Sequence, residues 1–231
     1  MPSNAPPWLA GVIATAGDLE AHALRDAIAA RGARVRAIPS GGGRIAWNAV
    51  LPDGRTVAVV LTGPGPEGAA AAARTWTLQA RSVVTLASGP ATAAGRAALL
   101  YEGDPVLAAR VRSVATAAAA GRLASTPMPP RSPEAAASLA ATGVDAVDGG
   151  SDTWREAAAR VGVPAVALHV VTDAAPPPPA RAWRTATARA LRMALHPRSR
   201  DPLTAAERAH VGVLAAGARA AVAACVGAPT G

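Results

Sequence analysis

Two kinds of segment alternate along the chain. Short runs that are almost wholly apolar and rich in β-branched residues cover 9–14, 56–61, 82–87 and 163–171. Runs of that length, bounded by glycine, proline or small polar residues, read as strands buried on both faces. Between them lie alanine-rich stretches with apolar positions at helical spacing. The first runs to about residue 30, sets Leu19, Ala23, Leu24, Ala27 and Ile28 on one face, and stops at Gly32. Further helices are expected from the 62–68 loop to about 80, over 106–120, from Ser132 to 141, and over 153–161, 180–195 and 204–226. Shorter strands are expected at 35–38 and 45–50 around a Gly41-Gly42-Gly43 turn, and at 121–125 and 144–147. Pro52-Asp53-Gly54 is a hairpin signal leading into 56–61, whose apolar character suits the sheet centre. Residues 93–101 carry no clear period.

Strand and helix in alternation predict an α/β fold. We expect a single domain over 9–228, with a central mixed β-sheet flanked by helices in three layers, behind a flexible tail over 1–8.

Composition narrows the function classes. The 231 residues are enough for one large domain with a sizeable core. Hydrophobic residues make up 51%, which excludes a disordered chain. Aromatic residues are 3% with no Phe, so the core must be built from Ala, Val and Leu. The formal charge of +8 comes from arginine alone, since lysine is absent, and the arginines are scattered. Nucleic-acid binding needs a basic patch with interleaved aromatics and is not expected; attraction of anionic metabolites is. A single Cys225 excludes an intrachain disulfide and a cysteine metal cluster, reads as a small hydrophobe on a helix, and fits a cytoplasmic compartment. Residues 1–7 lack a positive secretory region and no apolar run reaches a membrane span, so a soluble protein without a membrane span is expected. His22, His169, His196 and His210 have no metal-like spacing, so no metal is expected.

Candidate chemistry gathers at the strand ends, because ligands of α/β sheets bind outside the carboxyl ends of the strands. The 163–171 run leads to Asp173 and then the stiff Pro176–Pro179 loop. Such an acid either starts a turn or does chemistry. Glu20 follows the first strand, and as a first-turn acid it also suits the helix dipole; Asp18 reads equally as a cap. Thr62 and Gly63 open a glycine-rich loop that serves as a tight turn or lets the backbone approach a ligand. Ser88 and Gly89 end another strand. Asp148 precedes Gly149 and Gly150, and Ser151 with Asp152 can cap the next helix. His169, inside a buried run, reads as a core histidine bonded to backbone.

In their order, these landmarks resemble the nucleoside phosphorylase and nucleosidase superfamily: Glu20 on the first helix, Thr62-Gly63, Ser88-Gly89, the segment from Thr142-Gly143 to Ser151, and Val170-Val171-Thr172-Asp173. The correspondence spans most of 10–175. The closing helices, including Ala190-Leu191-Arg192-Met193 and the run to Pro197, look most like the hopanoid-associated branch, similar to enzymes that detach adenine from an adenosylated lipid. The resemblance implies the phosphorylase-like three-layer fold and cleavage of an N-glycosidic bond in a purine nucleoside or adenosyl-linked compound. It implies Asp173 as the acid that meets the departing purine and Glu20 as the base that orients water. It places Thr62, Gly63, Ser88, Gly89, Asp148 and Ser151 against the nucleoside. No cofactor is implied; the nucleophile is phosphate as co-substrate or water. Partners are a small-molecule nucleoside and further copies of the chain as a homo-oligomer. One position departs from the pattern: Gly150 stands where the superfamily carries the glutamate that grips the ribose hydroxyls. A catalytically impaired nucleoside-binding or assembly subunit is therefore the alternative expectation.

Overall fold

The β-branched runs of the sequence lie side by side, as their two-sided hydrophobicity requires. The structure, a computed structural model, describes residues 8–38, 45–63, 65–93, 96–126, 130, 132–172 and 205–227. Its strands are β1 (Gly11–Thr15), β2 (Arg34–Ile38), β3 (Ile45–Val50), β4 (Thr56–Leu61), β5 (Val83–Gly89), β6 (Leu99–Gly103), β7 (Ala119–Ala120), β8 (Leu123–Ser125), β9 (Ala146–Asp148) and β10 (Ala165–Val171). Its helices are α1 (Asp18–Ala29), α2 (Pro66–Trp76), α3 (Pro105–Val114), α4 (Pro133–Ala141), α5 (Ser151–Arg160) and α6 (Ala205–Val226).

Among the described residues, eight strands form one mixed sheet in the order β2-β3-β4-β1-β5-β10-β6-β7, and β8 pairs with β9 in a small separate one. The four apolar runs, β4, β1, β5 and β10, are mutually parallel and occupy the middle. The hairpin pairs β3 with β4 across Pro52-Asp53-Gly54, and β6 returns antiparallel along β10. Both margins are polar or short: β7 has two residues, and four of the five residues of β2, Arg34 and Arg36 among them, are exposed.

Alternation along each strand feeds two helical layers. Ile13, Val59, Leu86 and Leu168 pack with Leu24 of α1, Val111 of α3 and Ala221 of α6 on one face. Val12, Ala14, Val60 and Val83 pack with Ala72 and Trp76 of α2 and Trp154 of α5 on the other. Helix α6 lies close on the sheet because Gly217 has no side chain; a Cβ there would come 2.9 Å from Val170 Cγ2. Its buried Cys225 has its thiol pKa pushed up to about 12 by burial, which leaves it an inert core residue.

Tertiary pairing changes three local expectations. Strand β5 continues through Ser88 and Gly89, since Val170 and Val171 of β10 pair with them. The expected 106–120 helix ends at Val114, and Ala119–Ala120 pairs with Leu100 and Tyr101 instead. Ser151 begins α5 instead of capping it; the cap residue is Gly150, and the Asp148 carboxylate bonds the amides there. The expected 180–195 helix, most of the tail, the Gly41–Gly43 turn and the Pro176–Pro179 loop lie outside the described residues. No helix among the described residues is long and apolar enough to cross a membrane.

Candidate active site at the carboxyl rim of the sheet

Because β1 and β5 are adjacent and parallel, with Ala14 beside Thr85, their carboxyl ends open at one place. After Thr15 the chain turns at Ala16 and Gly17 into α1, and Glu20 falls at the third helical position, facing inward. Its carboxylate is buried, and Oε1 accepts the Ser88 hydroxyl. Gly17 makes room for it: a Cβ at 17 would lie 2.1 Å from Glu20 Oε2. Burial raises the Glu20 pKa above its ordinary 4.5, and the charge of Asp18 adds to this, while the Ser88 hydrogen bond works in the other direction. A buried carboxyl that holds its proton more tightly than usual, next to a hydroxyl at a strand end, is equipped for proton transfer.

Strand β10 reaches the same rim. The Thr172 amide donates to the Gly89 carbonyl at 3.0 Å, so the chain leaves the sheet beside Ser88 and Gly89. Asp173 itself lies outside the described residues. Behind Gly89 sits His169, fully buried in β10, with Nε2 3.2 Å from the Gly89 carbonyl oxygen. That carbonyl can only accept, so Nε2 carries the hydrogen. Burial holds the imidazole below the ordinary histidine range, with the Asp148 carboxylate and the Gly89 carbonyl opposing. A histidine kept neutral in the fold binds fewer protons folded than unfolded below its ordinary 6.5, so stability is full above that pH and is lost as pH falls. His169→Gln, whose Nε2 sits about where the imidazole Nε2 does, retains a donor for Gly89 without titrating. Thermal melts should show the wild type losing Tm faster than this variant below pH 6.5; parallel profiles would refute the assignment.

A second group of candidates lines a small cavity beside this rim. Thr62 follows β4; its amide and hydroxyl donate to the Thr15 carbonyl at 2.8 and 3.2 Å. Gly63 then takes a φ of 74°, which favours glycine and turns the chain toward α2. From the far side come Asp148 and Ser151. Asp148 Oδ1 accepts from the Ser125 hydroxyl and from the amides of Gly150 and Ser151, each at 2.9 Å. Asp148 Oδ2 is buried without a partner. The Ser151 hydroxyl lies 2.7 Å from that of Thr85. The walls of the cavity include Thr15, Thr62, Thr85, Asp148, Ser151 and Trp154, and it measures about 20 Å³, room for a water molecule.

The structure thus gathers Glu20, Ser88 and Gly89 on one rim and Thr62, Asp148 and Ser151 around the adjoining cavity. Sequence reasoning missed Thr15 and Thr85 as wall residues; their signal was a hydroxyl inside an otherwise apolar strand. It also could not show why position 150 is glycine. The backbone there has φ 178°, open to any residue, but a Cβ would fall 2.7 Å from Ala69 Cβ on α2. Close packing of α2 on the start of α5 leaves no space for a side chain.

No protein-family model and no curated protein sequence matches the chain. Solved structures do. The 5′-methylthioadenosine/S-adenosylhomocysteine nucleosidase of Neisseria meningitidis, in complex with methylthio-immucillin-A, superposes with a TM-score of 0.69 over 94% of this chain and 98% of that one, at 17% identity. A mutant of Helicobacter pylori MTAN with 5′-methylthioadenosine in its active site gives 0.63 over 70% and 84%, at 16% identity. Futalosine hydrolase of Helicobacter pylori gives 0.61 over 70% and 86%, at 14% identity. The chain has the nucleoside phosphorylase and nucleosidase fold. Among the described residues, no three His, Cys, Asp or Glu side chains converge as a metal-holding group.

Proposed function

We propose that the chain hydrolyses the N-glycosidic bond of a purine nucleoside or adenosyl-linked compound. The observation that carries this reading is the buried Glu20 carboxyl paired with Ser88 at the carboxyl ends of β1 and β5. Asp173, the acid of this reading, follows directly on Thr172, whose amide bonds to the Gly89 carbonyl at that rim. In the reaction the C1′–N bond breaks and its electron pair goes to the purine, while Asp173 donates a proton to the ring. Water forms the new C1′–O bond and gives one proton to Glu20; exchange with solvent then takes that proton from Glu20 and returns one to Asp173, which resets both groups. The raised proton affinity of Glu20 makes it a better base than a free carboxylate. Water as the nucleophile is favoured over phosphate by the acidic and hydroxyl lining: the carboxylates of Glu20 and Asp148 oppose entry of a phosphate dianion.

A second reading, binding without turnover, is favoured by the Gly150–Ala69 contact, which keeps a ribose-gripping carboxylate out of position 150. One experiment separates the two. The protein is incubated with adenosine, inosine, 5′-methylthioadenosine and S-adenosylhomocysteine, with and without phosphate, and free base is measured. Release that needs no phosphate, and that falls roughly 10²–10⁴-fold in Asp173→Asn, is expected. Calorimetric binding of these compounds with no base released by the wild type would overturn hydrolysis in favour of the binding subunit.

A further inference from the structure

The amino ends of the central strands carry a second cavity, across the sheet from the rim described above. It opens where Ala10, Thr56, Ser82 and Pro164 lead into β1, β4, β5 and β10, and it has a volume of about 750 Å³. That lies within the roughly 300–1,000 Å³ of small-molecule sites.

Its charge is not balanced from within. Arg55, Arg81 and Arg110 line it, against Asp53 and Asp104. Asp53 is committed to Arg55, with an ion pair of 2.5 Å. Asp104 caps α3, its Oδ1 accepting the amides of Val106 at 2.9 Å and Leu107 at 3.0 Å. The negative end of α6 is already met by three arginines: Arg110 donates to the Ala224 carbonyl, Arg55 to that of Val226 and Arg31 to that of Gly227. Arg110 makes that contact through Nη1 alone, and the exposed Arg81, whose amide donates to the Leu9 carbonyl, has no side-chain hydrogen bond or ion pair among the described residues. Two guanidinium groups therefore present donors and positive charge to whatever enters.

The same cavity has an apolar side. Trp8 is 53% exposed and Val106 60%, two large hydrophobic side chains left at its wall, above buried Leu107 and Val226. The Trp8 ring is fixed in place by its Nε1 hydrogen bond to Gln79 Oε1 at 3.0 Å. A pinned aromatic face beside guanidinium groups with donors to spare suits a ligand with a flat apolar body and an acidic group.

We propose that this cavity binds an aromatic organic anion, a carboxylate or a phosphate ester, with its acid on Arg81 and Arg110 and its ring against Trp8 and Val106. Neither arginine touches the Glu20 rim, so the site is independent of the hydrolytic reading.

Calorimetry with the full chain tests it, using 1-naphthoate and 1-naphthyl phosphate as probes, with 1-naphthol and inorganic phosphate as controls. At least one aryl anion should bind with one-to-one stoichiometry, and the better of the two identifies carboxylate or phosphate as the preferred acid. Binding should weaken about tenfold in Arg81→Gln, whose side chain holds nothing else in place, and by a similar factor in Trp8→Ala. Circular dichroism melts of both variants verify folding. The proposal is overturned if neither aryl anion binds, if 1-naphthol or inorganic phosphate binds as tightly, or if folded Arg81→Gln binds as the wild type does.

Discussion

Replacing Glu20 with glutamine is expected to lower base release by roughly 10²–10⁴-fold, the usual loss for a positioned general base, and at the same time to stabilise the fold. The two effects have one cause. Glu20 is sealed at the end of β1, and burial raises its pKa above 4.5, so the folded chain holds this proton more tightly than the unfolded chain. Where the folded state binds more protons, stability falls with rising pH. The contribution of Glu20 to stability is therefore complete below about pH 4.5 and is lost as pH climbs through the folded value, by about 1.4 kcal/mol for each unit that separates the two. Glutamine does not titrate and can still accept the Ser88 hydroxyl. Denaturant midpoints of the two proteins should draw apart in favour of Glu20→Gln as pH is raised. A constant difference from acid to alkaline pH would show that Glu20 carries no raised pKa and would remove its main qualification as the base.

Gly150→Glu is the second large effect. The superfamily resemblance calls for a glutamate here, yet its introduction should destabilise the chain by about 1–3 kcal/mol, the ordinary cost of overpacking. Backbone strain contributes nothing, because φ 178° is extended. The conflict is steric: the new Cβ meets Ala69 Cβ at 2.7 Å, both held on packed helices. Ala69→Gly alone should cost about 1 kcal/mol through helix propensity. Combined, the two changes should be less harmful than their sum, since each removes the other's problem. Urea unfolding of the wild type, both single variants and the double variant measures that coupling. Strict additivity would mean that α2 moves freely away from α5, and that glycine at 150 is not a packing requirement.

These residues show what a sequence can and cannot disclose about such a site. The four central strands were legible because a strand covered on both sides needs uninterrupted apolar residues, and runs such as 56–61 and 163–171 have no other use. Glu20 and Ser88 were legible only as neighbours of strand ends. Their contact depends on β1 and β5 lying side by side, which is a property of strand order and leaves no local mark. The end of α3 was hidden for a related reason. Residues 115–120 are rich in alanine and favour a helix by propensity, but Ala119 and Ala120 gain partners on β6 that a helix would forfeit. Position 150 was legible as a glycine in a sharp turn and opaque as to its packing, because Ala69, which a side chain there would meet, lies some eighty residues away. Asp148 was legible as a carboxylate near the turn; that one of its oxygens secures the start of α5 while the other has no partner follows only from the folded backbone.

The margins of the sheet bear on how the molecule behaves at high concentration. A long, flat, apolar outer strand recruits copies of itself through its free amide and carbonyl groups. Here one border is two alanines long, too brief to template an incoming strand, and the other presents Arg34 and Arg36, so approaching copies meet like charges before their backbones can pair. Among the described residues, such guarded borders leave an incoming strand little to pair with.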